Sequence, residues 1–445
     1  MNVKDLIGLI DLFLVPLYFI FFLILAYLYK KKHAKDPQVK RYFVPGFIYK
    51  IMGGLIYALL VVYYWGFGDT ATYFNEVLFF RDLLAQDKTS FYQIFTFDYS
   101  YFRDKYQIIG SINNNGFMVT KIALILSYFS FSRFLVTTML FSVITYASLF
   151  TLFKTFVSIL PKQHFIIALA TLFFPSIAIY GSGILKDAVC IAALGFFFCS
   201  SYQIVIKRNF ALKHFMGLFV TASLIIAVKS YILAGFLVPL IIIFIIRLTH
   251  GIKNSLLRYL LLTITAIFSI SLLVVFTDSI MQALGVEYFE KLQDEIIKLQ
   301  NEYAGMTENA DSNFSIGAID PSLSGFFKKL PVGFTATLFR PFLWEIGSLF
   351  TAVSSLESLA ILMATLFTIF KTRVRFFKAL FSDPTIFMCI IFSMIFASLV
   401  GLSTLNFGTL ARYRIPVIPF YLMGLLMILM YNQKTKQKKL SKTPV

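Results

Sequence analysis

Acidic and sulfur-bearing residues are both scarce in this chain. There are 22 Asp and Glu against 40 Lys and Arg, and three cysteines in 445 residues. Cys190, Cys199 and Cys389 all fall inside apolar runs. They read as small buried hydrophobes, which leaves no disulfide framework. Histidine is nearly as rare: His33, His164, His214 and His250 each lie in or beside a gap rich in Lys and Arg. The acid-bearing gaps between the other runs hold no histidine for a zinc site, a Ser-His-Asp triad or a Cys-His pair. No phosphate-cradling ATPase loop and no dinucleotide-binding glycine pattern occurs. Charged residues are only 14% of the chain, hydrophobic residues are 58%, and mean hydropathy is +0.79. That usage excludes a soluble globular domain.

What is present is a series of about eleven long apolar runs. Leu6–Leu28, Phe165–Tyr180, Ala188–Val205, Tyr231–Ile246 and Thr385–Leu402 approach the roughly 20 residues needed to cross a ~30 Å hydrocarbon core. The expected fold is all-α, a polytopic transmembrane bundle forming a single integral membrane domain over 1–445. The gaps alternate in charge. One set carries Lys and Arg with almost no acid (Asp36 and Asp383 excepted), and the other carries nearly all the carboxylates. Short cytoplasmic loops collect Lys and Arg, so the basic gaps face the cytoplasm and the acidic face is extracytoplasmic. The net charge of +18 then reflects topology and anionic lipid, and no nucleic-acid partner is expected.

The topology follows from these gaps. A first helix over about 6–29 ends in Lys30, Lys31, Lys32, Lys35, Lys40 and Arg41, which places the N-terminus outside. Lys4, Asp5 and Asp11, with no small-residue cleavage site, mark this as a retained helix rather than a signal peptide. Further crossings are expected at about 44–65, 133–153, 164–180, 187–206, a tight pair turning near Lys229, 258–277, 347–370, a tenth ending near Leu402, and 414–430. A basic tail over 431–445 is cytoplasmic. Two large extracytoplasmic loops remain, 66–131 and 278–345. The first holds Thr72–Leu84 and Phe91–Ile109, whose mixed acidic and aromatic patterns predict helices lying in the membrane interface, as does 117–131. The second divides into an amphipathic acidic helix, Glu287–Tyr303, and a glycine- and serine-rich stretch, Gly305–Ser324, suited to a lid or a plain tether.

Four constellations carry candidate chemistry. After the aromatic belt Tyr63-Tyr64-Trp65 comes Gly66-Phe67-Gly68-Asp69-Thr70, which puts Asp69 at the membrane surface on a flexible turn. It is either a cap for the next helix or a general base, with Tyr73 and Glu76 one and two turns on. Second, Pro175 and the turn Gly181-Ser182-Gly183 precede Lys186 and Asp187. This is an ordinary glycine turn or an anion seat at a helix N-terminus. Third, Arg340-Pro341-Phe342-Leu343-Trp344-Glu345 leads into a helix that carries Glu357 about three turns in, where a carboxylate needs a partner or a role. Fourth, Arg412-Tyr413-Arg414-Ile415-Pro416 puts two arginines at an outer helix mouth, which calls for an offsetting anion such as a phosphate or a lipid headgroup.

With the acid beside an aromatic belt after an early helix, the juxtamembrane amphipathic stretches, and Arg340-Pro341 and Arg412-Tyr413-Arg414-Ile415-Pro416 before the last helices, the chain resembles the polytopic glycosyltransferases of the C superfamily and the O-antigen polymerases. The resemblance covers about a third of the chain. It implies transfer of a sugar from a polyprenyl phosphate or diphosphate to a glycan or lipid acceptor, at the outer face of a bacterial inner membrane. Asp69 would be the general base, while Lys186, Arg340, Arg412 and Arg414 stabilise the departing lipid phosphate. Tyr73, Glu76, Asp187, Trp344, Glu345 and Glu357 would complete the substrate site. The superfamily acid usually follows the first helix and is often paired. Here it follows the second, with Thr70 beside it, so an arginine-based polymerase without metal is equally compatible. Any metal would be a hard cation, Mg2+ or Mn2+, held by carboxylates and phosphate oxygens. Two other classes stay open. A transporter or flippase for a lipid-linked or small anion would use Glu357, the Gly181–Gly183 break and Lys229, and an envelope-complex scaffold would dock through 278–345.

Overall fold

The computed structural model describes residues 3–88, 90–107, 114–249, 313–317 and 323–440, with scattered residues between 256 and 271. Among these, every regular element is helical, and the one sheet-like contact is an isolated bridge between Asn313 and Asn406. Among the described residues, seven helices are long and apolar enough to cross a membrane, or eight if a pair bent by 64° counts as one span. The protein is thus a helical, multi-pass membrane-type chain. It divides into two compact units, one formed by Met1–Ser200 with Phe215–Lys229 and the other by Ser201–His214 with Ser230–Val445.

The first unit contains α1 (Asp11–Lys32), α2 (Val44–Leu60), α3 (Asp69–Gln86), α4 (Ser90–Thr96), α5 (Tyr99–Tyr106), α6 (Asn114–Ser127), α7 (Phe134–Ile159), α8 (His164–Thr171), α9 (Pro175–Tyr180) and α10 (Lys186–Ser201). α1 leaves Leu12, Phe13, Leu17 and Ile20 exposed, as a helix facing lipid does. α2 and α7 meet through edge-on rings of Phe43, Phe47, Tyr146 and Phe150, and the Tyr146 hydroxyl donates to the Phe43 carbonyl at 2.5 Å. α7 is tied to α10 by Ser148, whose hydroxyl donates to the Ala192 carbonyl at 2.5 Å. Small polar residues on apolar helices bond across helices in this way where no water competes.

α11 (Leu212–Thr249) begins in this unit, and its backbone leaves helical geometry at Lys229 (φ −150°, ψ 79°). The second unit continues with α12 (Leu323–Phe339), α13 (Leu349–Thr372), α14 (Arg375–Ser382), α15 (Pro384–Ser403), α16 (Phe407–Tyr413) and α17 (Ile418–Leu440). α12 and α15 pack backbone to backbone. A Cβ on Gly401 would stand 2.0 Å from the Gly333 carbonyl oxygen, so glycine is required there. Thr337 bonds the Ala397 carbonyl at 2.6 Å beside that contact.

The span count differs from the expected eleven for identifiable reasons. The run over 164–180 is two helices, α8 and α9, of 8 and 6 residues, neither long enough to cross. Pro175 forces Phe174 into extended geometry (φ −73°, ψ 123°) and the helix cannot continue through it. The expected pair around Lys229 is two helical stretches that run together across a kink at that residue and count as one span. The last expected crossing is the bent pair α16 and α17. The expected crossing at 258–277, the helix Glu287–Tyr303, most of Gly305–Ser324 and the end of the basic tail lie outside the described residues.

α3 forms over the expected stretch, with one face covered by protein. Thr70, Tyr73, Phe74, Val77, Phe80 and Leu84 recur at helical spacing and are buried. α6 covers that face, and Phe80, Phe102 and Phe117 meet in one aromatic cluster. An apolar face satisfied by protein is no longer available to lipid.

Candidate functional site

In the second unit, four of the expected site residues come together around Arg414. Its side chain is fully buried, and α13 supplies most of its partners. Ser354, Glu357 and Ser358 stand at helical spacing, on one face of that helix. The Arg414 Nη2 donates to the Glu357 carboxylate at 3.0 Å, and to the Ser354 carbonyl and hydroxyl at 3.1 Å each. Nη1 donates to the Ser358 hydroxyl at 2.6 Å and to the Arg340 carbonyl at 3.1 Å. A guanidinium is always charged and carries a planar fork of donors, which suits it to several fixed acceptors at once. The anion offsetting Arg414 is therefore Glu357, a protein carboxylate. Desolvating a guanidinium costs several kcal/mol unless it is paired on the spot, and here the protein supplies partners to both terminal nitrogens.

Arg340 forms a second pair one layer out. Its side chain is 21% exposed, and Nε donates to both Glu345 oxygens at 3.0 and 3.2 Å. Nη2 also meets Glu345, while Nη1 donates to the Ser315 carbonyl at 3.2 Å. The guanidinium lies over the rings of Phe314 and Phe407, 4.4 and 5.4 Å from their centroids. Glu345 in turn accepts from the Phe342 N–H at 2.8 Å. Trp344, beside this pair, is 80% exposed and stacks on Phe342. Arg412 is half-buried on α16 with its guanidinium 5.2 Å from the Tyr413 ring centre. The cluster is thus graded. A fully neutralised guanidinium lies inside, a paired one is partly open to solvent, and an indole stands at the edge.

The other expected residues belong to the first unit and form three separate arrangements. Asp69 is exposed and is the first residue of α3, while the capping position is Gly68, whose φ of +144° favours glycine. Glu76 is buried and accepts from the Thr120 hydroxyl of α6 at 2.5 Å. Tyr73 is buried on the same helix. Asp187, in the first turn of α10, is buried and accepts from the Lys229 ammonium at 2.5 Å. The adjacent Lys186 is half-buried.

Several polar residues in these clusters escaped the sequence reading. Lys50 on α2 is 1% exposed, and its ammonium donates to the Ile177 carbonyl of α9 at 2.7 Å. Its signal was available: a single lysine in an apolar run, three residues before Gly53-Gly54. Ser354 and Ser358 were legible only as neighbours of Glu357 at helical spacing. Thr120 gave no signal by itself. Among the described residues, no three or more His, Cys, Asp or Glu side chains gather closely enough to hold a metal ion.

Outside the spans, Asp36 follows α1 and pairs with Lys154 at 2.7 Å. Burial pushes its pKa up, but the Lys154 ammonium and the N–H groups of Gln38 and Val39 outweigh that and hold it below the ordinary 3.8. No protein-family model, no curated protein and no solved structure matches this chain.

Proposed function

We propose that this protein is a membrane glycosyltransferase or polysaccharide polymerase that draws its sugar from a polyprenyl phosphate or diphosphate. On this reading it sits in a bacterial plasma membrane, with about eleven crossings, the N-terminus outside and the tail in the cytoplasm. The glycan or lipid acceptor arrives at the outer face. Asp69 takes the proton of the acceptor hydroxyl as that oxygen attacks the anomeric carbon and the bond from carbon to lipid phosphate oxygen breaks. Arg412 and Lys186 take up charge on the leaving phosphate. Arg414 and Glu357 hold Arg340 in place through its carbonyl. Trp344 offers the exposed aromatic face for a sugar.

The observation that carries the reading is the graded cluster around Arg414. Burying a guanidinium and a carboxylate among apolar helices is expensive, and packing alone does not call for it. Such a cluster earns its place by fixing the half-open Arg340–Glu345 pair and the exposed Trp344 beside it. The test is release of polyprenyl phosphate or diphosphate by purified protein in lipid, over a panel of polyprenyl-linked sugars, with and without divalent metal. Asp69→Asn is expected to lower release by at least about a hundredfold, the usual reach of a general base, without changing the amount of folded protein. Undiminished release in that variant removes Asp69 from the reaction.

A second reading, a transporter or flippase, is favoured by a different observation: the buried Asp187–Lys229 pair stands where α11 loses helical geometry. Charged groups at broken helices line substrate paths in transporters. No release from any donor, together with uptake of a lipid-linked or small anion by proteoliposomes, would favour it.

A further inference from the structure

A cavity of about 420 Å3 opens in the first unit, lined by Arg81, Leu84, Ala85, Lys88, Phe91 and Tyr128. Arg81 stacks on the face of Tyr128 with 3.8 Å from guanidinium carbon to ring centre. Stacking uses the flat face of the guanidinium and leaves its N–H edge for a ligand. Among the described residues, the buried Nη1 of Arg81 has no hydrogen-bond partner. An unmet buried guanidinium donor is costly, and it asks for an anionic oxygen. Lys88, just past the end of α3, supplies a second cation to the same cavity. The neighbouring acid, Asp87, accepts from the Ser90 hydroxyl at 3.3 Å and is not among the lining residues.

The rest of the wall is apolar: Leu84, Ala85 and Phe91. Phe91 and Tyr128 are about half exposed, and their chain neighbours Tyr92 and Phe129 are 70% and 66% exposed. A free anion would gain nothing from that surface, whereas an amphiphile buries its first methylenes against it. We propose that this cavity binds the phosphate group of an anionic lipid. The Arg81 fork and Lys88 would hold the phosphate oxygens, and Leu84, Ala85 and Phe91 would cover the start of the chain. The assignment stands whether the protein is a transferase or a transporter.

The test uses the full-length protein in detergent, delipidated, with binding followed by native mass spectrometry. The probes are phosphatidylglycerol, a polyprenyl phosphate and inorganic phosphate. Arg81→Gln and Lys88→Gln are each expected to weaken binding of the lipid phosphates about tenfold or more, the scale of a lost charge-assisted bond. Ala85→Trp, which fills the cavity and keeps both cations, is expected to abolish it. Lys105→Gln, at an exposed lysine on α5, serves as the control and is expected to have no effect. Because Lys88 and Ala85 are exposed, their variants keep the test decisive if Arg81→Gln does not fold. Inorganic phosphate bound as tightly as the lipids would reassign the site to free phosphate and overturn the proposal. Lipid binding unchanged in Lys88→Gln and Ala85→Trp would overturn it outright.

Discussion

Each unit of this protein buries an ion pair among apolar helices, and the two pairs are built differently. Arg414 of the second unit meets Glu357, two serines and two main-chain carbonyls, and no part of its side chain reaches solvent. Lys229 of the first unit meets Asp187 at 2.5 Å, at a residue where the helix has lost its regular geometry. The arginine fork ties α13 to the turn after α12, and every one of those contacts depends on a fixed geometry. The ammonium is a point charge on a flexible stem, and it tolerates changes of direction. A guanidinium cannot shed its proton when its partner is lost, but an ammonium can. The Arg414 cluster is therefore a fixed framework, and the Asp187–Lys229 pair is the one suited to part and re-form.

The comparison breaks most visibly at Glu357. Glu357→Leu leaves a permanent charge buried without its counter-ion, and is expected to cost about 3–5 kcal/mol in thermal or denaturant unfolding of the purified protein. A loss no greater than that of an exposed control such as Lys105→Ala would mean that the serines and carbonyls alone hold Arg414. Asp187→Asn sharpens the contrast. The amide still accepts from Lys229, and the lysine can release its proton, so the expected cost is about 1–3 kcal/mol. Equal losses for the two variants would erase the distinction between a fixed and a separable pair. Loss of transport with little loss of stability in Asp187→Asn would favour the transporter reading.

The smallest effect belongs to Asp36, whose pair with Lys154 is 28% exposed on the carboxylate side and 44% on the lysine side. Its pKa is lowered on folding, so its stabilisation is fully present above the ordinary 3.8 and is lost as pH falls through the lower folded value. Exposed pairs are worth at most about 1 kcal/mol. Wild type and Asp36→Asn should differ slightly in melting temperature at neutral pH and converge in acid. A gap that widened in acid would contradict the lowered pKa.

Much of the candidate site was legible in the sequence as an inventory, and little of it as an arrangement. Glu357 announced itself because a carboxylate deep in an apolar run is costly, and Arg412 and Arg414 because two cations at that helix mouth needed an anion. The pairing of Glu357 with Arg414 was not legible, since 57 residues separate them and helix rotation decides whether they face each other. Lys50 was passed over although it is nearly as buried as Arg414. Tyr73 and Glu76 read as surface residues, because an amphipathic stripe looks alike whether lipid or α6 covers it.

The sequence alone determined the class: an all-helical chain with several membrane-length apolar helices, free of disulfide chemistry. Those properties are sums over composition and local runs, and they do not depend on which helix meets which. Tertiary structure decided the rest. It decided that Pro175 ends a helix short of a crossing, and that Lys229, at the turn the sequence marked, finds Asp187. It also decided that Arg414 pairs with Glu357 while Arg81, stacked on Tyr128, lines a cavity. Each depends on a contact between segments far apart in the chain, or on whether a neighbouring helix covers a turn, and a run of residues carries no record of its neighbours in space.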